Sequence, residues 1–172
     1  KLYEYIQFSD SIMYDAEEGL YYRDAKYVYP KHKSANGKKD FWARGDGWVL
    51  AGLAKVLKDL PKEFKHYDFF VDKYVRMAKA VADIQQPGGY WTRTMMDPEH
   101  APGPETSGTA FFTYGLLWGV NNGYLDEATY MPVVRKAWNY LKKTALQKDG
   151  RVGYVQPIGE KAIPGQIVNA NS

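Results

Sequence analysis

The chain has 172 residues, 45% of them apolar, and a net charge of +3 from 23 Lys+Arg and 20 Asp+Glu. That is enough for one buried core, and the charge is too mild and dispersed to indicate nucleic acid. With no cysteine there is no disulfide framework, thiolate catalysis or cysteine-held zinc, and no apolar run approaches the ~20 residues of a membrane span.

Helical periodicity dominates. A first helix is expected over Leu2–Tyr14, followed by the glycine-bearing connector Asp15-Ala-Glu-Glu-Gly-Leu-Tyr-Tyr-Arg23. The basic stretch Lys31–Lys39 also carries Ser34, Asn36 and Gly37 and reads as a solvated loop. A second helix, Trp48–Leu60, places Val49, Leu53, Val56, Leu57 and Leu60 at helical spacing and stops at Pro61. A third, Tyr67–Gln86, has one apolar stripe (Phe70, Tyr74, Met77, Val81), and Gln86-Pro-Gly-Gly-Tyr-Trp-Thr-Arg93 follows it. Asp97, Glu99 and His100 sit with the proline-rich loop Pro98–Pro104; they could serve as rim acids, but a solvated loop is the preferred reading. Thr106–Val120 is apolar nearly all round, whereas Tyr130–Leu146 again has one stripe, and the connector Asp149-Gly-Arg-Val-Gly-Tyr-Val-Gln156 comes after it.

A helix apolar around its girth is buried, and a striped one lies outside. The order is therefore inner, outer, inner, outer. Gly19, Gly89 and Gly150 recur in equivalent connectors, 70 and 61 residues apart. This is an all-α hairpin repeat. Long connectors rich in Trp, Tyr, Gly and Arg favour a closed double-layered ring over an open solenoid, with loops gathered at one end as a cleft. A six-hairpin ring needs roughly 300–400 residues at this repeat length, so residues 1–172 read as one partial domain, about half of a toroid with N-terminal hairpins missing. Such a half-ring exposes apolar flanks, which predicts self-association or marginal stability.

Two motifs stand where the inner helices start: Phe41-Trp-Ala-Arg-Gly-Asp-Gly-Trp48 and Pro104-Glu-Thr-Ser-Gly-Thr109. A helix N-terminus offers free N–H groups and a positive dipole end to an anion, and Arg44 adds a planar fork matched to a carboxylate. Trp42 and Trp48 supply ring faces, and with 16% aromatic residues a sugar-binding cleft is a natural reading. Alternatively, Asp46, Glu105, Thr106 and Ser107 merely cap helices and Trp48 is core. Arg23, in Leu20-Tyr-Tyr-Arg-Asp24, and Trp91, in Gly89-Tyr-Trp-Thr-Arg93, are further candidates, as sugar platforms or as packing. His32, His66 and His100 are too scattered for a metal site, and no phosphate loop, dinucleotide motif or nucleophile elbow is present. No cofactor is expected. What remains is carboxylate chemistry in an aromatic, arginine-bearing cleft.

The run Trp42-Ala-Arg-Gly-Asp-Gly-Trp48 continuing to Leu60-Pro61, then Glu105-Thr-Ser-Gly-Thr-Ala into Phe111-Phe-Thr-Tyr-Gly115, together with Gly19-Leu-Tyr-Tyr22, resembles glycoside hydrolase family 105, the unsaturated rhamnogalacturonyl hydrolases, which are related to family 88. The resemblance covers nearly the whole chain and implies an (α/α)6 toroid. It implies hydrolysis of terminal 4,5-unsaturated uronyl residues of oligosaccharides derived from pectin: an Asp protonates C4 of the vinyl ether, water adds at C5, and the hemiketal collapses. Trp42, Arg44 and Trp48 would line the sugar pocket. The key Asp would lie before Lys1, so no catalytic residue is assigned here and this chain alone would be inactive. Arg23 stands where the family commonly has a histidine, and Asp46 where many members have asparagine. The rival reading is a non-catalytic helical-repeat module that binds glycan or protein. Compartment, sugar and linkage are not fixed by the sequence.

Overall fold

The computed structural model describes residues 1–159 and 162–172. Among them are five α-helices: α1 (Leu2–Met13), α2 (Ala43–Asp59), α3 (Tyr67–Asp83), α4 (Thr106–Asn121) and α5 (Glu127–Tyr140), the last continued by a π-helical turn over Leu141–Ala145. The only ladder of more than one bridge among these residues joins β1 (Tyr14–Asp15) to β2 (Leu20–Tyr21), antiparallel. Gly19, Gly89 and Gly150 all adopt positive φ, the backbone turn that the repeat of connectors implied.

The inner–outer alternation holds. α2 and α4 pack most extensively on one another, α3 packs on α2, and α5 packs on α4. Leu50, Leu53, Ala54 and Leu57 of α2 meet Phe112 and Leu116 of α4 and the α3 stripe Phe70, Tyr74, Met77 and Val81 in one core. Small residues permit the close inner pairing. Gly47 leaves room for Phe111, and Gly108 and Gly115 lie directly against Ala43 and Leu50. Tyr74 crosses from α3 to donate its hydroxyl to the Gly115 carbonyl, 2.6 Å away.

Four expectations need correction. α2 begins at Ala43, five residues before Trp48, because Gly45 and Gly47 mask a helical start that packing against α4 stabilises. α5 starts at Glu127, where the Asp126 carboxylate caps it by accepting from Thr129 N at 2.8 Å. The inner helices are not buried all round, since Trp48 is 62% and Tyr114 44% exposed. Finally, the 31–40 loop and the Asp97–His100 turn are not simply solvated. Asp97 and His100 are buried. Asp97 accepts from Ser34 Oγ and from Asn36 Nδ2, and His100 Nδ1 accepts from Ala35 N at 2.7 Å. These bonds hold one loop to the other.

α1 differs from the other helices: none of its residues is buried. Its Tyr5, Phe8 and Ile12 repeat the spacing of Tyr74, Met77 and Val81, which lie 69 residues later in α3 and face the core. In α1 the same stripe is exposed.

Candidate functional site

The start of α2 and the start of α4 are adjacent at one end of the inner pair. Trp42, the N-cap of α2, bridges Thr94 in an isolated antiparallel pairing, and Ala43 N donates to the Arg93 carbonyl at 3.0 Å. Arg44 extends from the first turn with its guanidinium carbon 5.4 Å from the centre of the Trp42 ring. Its Nη2 donates to the main-chain carbonyls of Gln156 and Pro157. Among the described residues the nearest carboxylate, Glu105, stands at 4.0 Å, the limit of an ion pair. Nη1 has no partner among the described residues, and Nε is buried without one. The guanidinium is thus fixed by two neutral carbonyls, leaving donors and positive charge incompletely matched.

Two adjoining hollows border this corner. The smaller, about 160 Å³, is lined by Met13, Tyr21, Tyr22, Arg23, Trp42, Gly45 and Val49. The larger, about 310 Å³, lies between α1 and α2; it shares Met13, Tyr21 and Val49 as a common wall and carries Trp48. Trp48 rests on Phe111, with ring centres 4.3 Å apart. Arg23 is exposed, ion-paired with Asp24, and has its guanidinium 5.5 Å from the Tyr27 ring.

The remaining candidates lie behind this surface. Glu105 is fully buried and closes its own helix. Its carboxylate accepts from Ser107 N at 3.2 Å, from Gly108 N at 2.6 Å and from Gln156 N at 3.2 Å. Ser107 Oγ donates to the same carboxylate at 2.7 Å. The α4 end therefore presents no free amide dipole to a ligand, contrary to the expectation of two open helix ends. Thr106 is buried, sharing its hydroxyl with Tyr140 and the Gly153 carbonyl. Trp91 is fully buried in the core, not a sugar-facing ring; its indole N–H donates to the Val81 carbonyl at 2.8 Å. Its position two residues after the Gly89 turn sends it inward against Phe112.

Asp46 is also buried. One oxygen accepts from Tyr21 N at 2.8 Å and ties α2 to the β1–β2 hairpin, while the other has no partner among the described residues. Burial without a countercharge pushes its carboxyl well above the ordinary aspartate range, opposed only by the Tyr21 hydrogen bond. Arg93, unlike the half-buried Arg44, is buried; it donates to the carbonyls of Gln166 and Pro102, and burial lowers its pKa while Glu105 opposes the shift.

Sequence reading missed Gln156, Gln166 and Arg93, the residues that join the C-terminal segment to this corner. Arg93 and Gln156 end the second and third glycine connectors, but nothing local marks either as a partner of the α2 motif. Among the described residues no group of three His, Cys, Asp or Glu side chains converges to hold a metal.

Comparison with known proteins agrees with this architecture. The sequence pattern of Glycosyl Hydrolase Family 88 matches residues 1–171. An unsaturated 3S-rhamnoglycuronyl hydrolase from Formosa agariphila is 40% identical over 168 residues, which cover 95% of this chain and 44% of that one. A solved structure described as a polysaccharide lyase is 73% identical with a TM-score of 0.96, covering 99% of this chain and 48% of that chain. A family 88 glycosyl hydrolase from Bacteroides vulgatus is 65% identical with a TM-score of 0.97, over 99% and 49%. The all-α hairpin arrangement expected from the sequence is the arrangement of these structures. The chain spans about half the length of the relatives it matches, or less.

Proposed function

The chain belongs to Glycosyl Hydrolase Family 88, and on that premise we propose that it forms the wall of a site that binds the terminal 4,5-unsaturated uronyl residue of an oligosaccharide derived from a polysaccharide such as rhamnogalacturonan. The observation that carries this reading is Arg44: its guanidinium lies beside the Trp42 ring, is anchored by carbonyls through Nη2, and keeps Nη1 without a partner among the described residues. A uronate offers what that arrangement lacks, a carboxylate for the fork and a ring face for the indole. The Trp42 hollow, about 160 Å³, is below the roughly 300 Å³ at which drug-sized sites begin, which suits one ring rather than an extended glycan. Arg23 on its rim adds a second cation, and Trp48 borders the adjoining hollow.

In this reading the chain's own residues bind and orient. Arg44 holds the carboxylate on C5 of the vinyl ether, and Trp42 fixes the ring plane. A general acid then protonates C4, water adds at C5, the hemiketal opens to a C5 ketone, and the hemiacetal left at C1 collapses to an aldehyde as the remaining sugar departs with its oxygen protonated. The acid is an aspartate outside these 172 residues, so the chain alone binds without turnover. Neither Glu105 nor Asp46 serves as that acid, because Glu105 caps α4 and Asp46 faces Tyr21 N from within the core.

Two measurements test the proposal. Titrating the chain with unsaturated disaccharides produced by a lyase should quench tryptophan fluorescence. A polypeptide carrying the further length present in the relatives should abolish the ultraviolet absorbance of the conjugated uronate. Failure to do so with both galacturonyl and glucuronyl substrates rejects the activity; binding without turnover in that longer polypeptide supports a glycan-binding module instead.

A further inference from the structure

Gln156 is 1% exposed and lies in the connector after the π-turn, two residues beyond Tyr154, which adopts φ 60°. Its side-chain Oε1 accepts from the Trp42 indole N–H at 2.7 Å. Its main-chain carbonyl accepts from Arg44 Nη2. Its main-chain N–H donates to Glu105 Oε1 at 3.2 Å, and its Nε2 approaches Gln166 Oε1 at 3.5 Å. The Gln166 carbonyl in turn accepts from Arg93 Nη1 at 2.7 Å. One buried amide residue thus touches the indole and the guanidinium proposed to meet the sugar, and also the carboxylate that caps α4.

We propose that Gln156 is a positioning residue for the uronyl site, acting through Trp42 and Arg44 and not on the substrate itself. This rests on the sugar-binding reading of those two side chains. An indole on a helix N-cap can turn about two side-chain torsions, and an arginine about four. The Gln156 Oε1 fixes the first ring at its one donor, and the Gln156 carbonyl fixes one edge of the fork. A main-chain carbonyl holds the guanidinium without neutralising it, so the charge remains for an incoming carboxylate. The Gln156 main-chain N–H, and not its side chain, is the group that meets buried Glu105, so the side-chain acceptor is left for the indole.

The experiment compares Gln156→Met, of similar reach but lacking the acceptor, with Gln156→Glu, which keeps an acceptor for the indole. The Trp42 indole N–H resonance, assigned by its loss in Trp42→Phe, reports the bond directly. Affinity for a 4,5-unsaturated uronyl disaccharide, read by fluorescence, reports the site. Gln156→Met should shift the resonance and weaken binding at least about tenfold; Gln156→Glu should leave the resonance close to its wild-type position. A folded Gln156→Met chain with both readouts unchanged overturns the proposal. Should Gln156→Met not fold, loss of the wild-type resonance in Gln156→Glu overturns it and retention supports it. Absence of disaccharide binding by the wild-type chain counts against the sugar-binding reading, while the indole shift still decides whether Gln156 orients Trp42.

Discussion

Gly108 in α4 lies against the backbone of Ala43 in α2, so closely that a Cβ at Gly108 would stand 2.8 Å from the Ala43 carbonyl carbon. Gly52, also in α2, faces the opposite way, and a Cβ there meets nothing within 4 Å. The two glycines share a residue type and differ in purpose. Gly108→Ala should destabilise by about 1–3 kcal/mol through overpacking. Gly52→Ala should stabilise by about 0.5–1 kcal/mol through helix propensity. Denaturant unfolding of the two variants checks the opposite signs.

Asp46 makes stability depend on pH in a defined direction. Its carboxyl is raised by burial, so the folded state retains a proton that the unfolded chain has already lost. Its contribution is full below the ordinary aspartate pKa of about 4 and declines as pH rises toward the folded value. Asp46→Asn, which removes the ionisation and keeps an oxygen for Tyr21 N, should raise the melting temperature at pH 7, and the gain should shrink as pH approaches 4. A gain that is equal at both pH values contradicts this.

Asp97 has the opposite sign. Burial alone would raise its carboxyl, but hydrogen bonds from Ser34 and Asn36 more than reverse that and hold it below the ordinary range. Its contribution is present above about pH 4 and is lost as pH falls through the folded value. Asp97→Ala should release the 31–40 loop, and trypsin should then cleave after Lys31, Lys33 and Lys38 several times faster than in the wild type.

Much of the hairpin order was legible because the core-facing stripes of α3 and α5 keep a strict helical period and the connectors carry glycines that need positive φ. The start of α2 was not, because Gly45 and Gly47 lower local helix propensity and only the folded contacts explain them: Gly45 lies against the Trp42 ring, and Gly47 against Phe111 and Gly108. At the candidate site, one motif was enough to single out Trp42, Arg44 and Trp48 as proposed sugar contacts, and the structure brings Trp42 and Arg44 together with Trp48 on the adjoining hollow. The burial of Trp91 and the self-capping of Glu105 could not be read in this way, since an exposed ring and a packed one, or an open helix end and a closed one, share the same local sequence. Asp97 and His100 read as solvated loop residues because their partners, Ser34 to Asn36, are more than 60 residues away.

Arg44→Lys should weaken binding of an unsaturated uronyl disaccharide at least about tenfold, because an ammonium reproduces neither the fork nor its stacking on Trp42. Trp48→Ala should change stability by under about 0.5 kcal/mol, since the ring is largely in solvent, and should weaken binding less than Arg44→Lys does. Parallel fluorescence titrations and thermal melts separate these effects.

The exposed stripe of α1, with Tyr5 and Phe8 each 67% exposed, is a surface fitted for another apolar element. The 172-residue chain should associate with itself as concentration rises. Tyr5→Lys combined with Phe8→Glu should abolish that association without lowering the melting temperature, since neither residue is in the core. Sedimentation velocity over a range of concentrations gives the answer.

The contacts of Arg44 and Trp42 with Gln156 span 112 and 114 residues. Closing so long a loop is among the slowest steps open to a chain of this size, whereas the turns of α2 form locally and early. During synthesis, a ribosome will have released both motif residues long before their anchor emerges. In a nascent chain that stops short of Gln156 the arginine and the indole lack this anchor, and they acquire it only once the connector after α5 has cleared the exit tunnel.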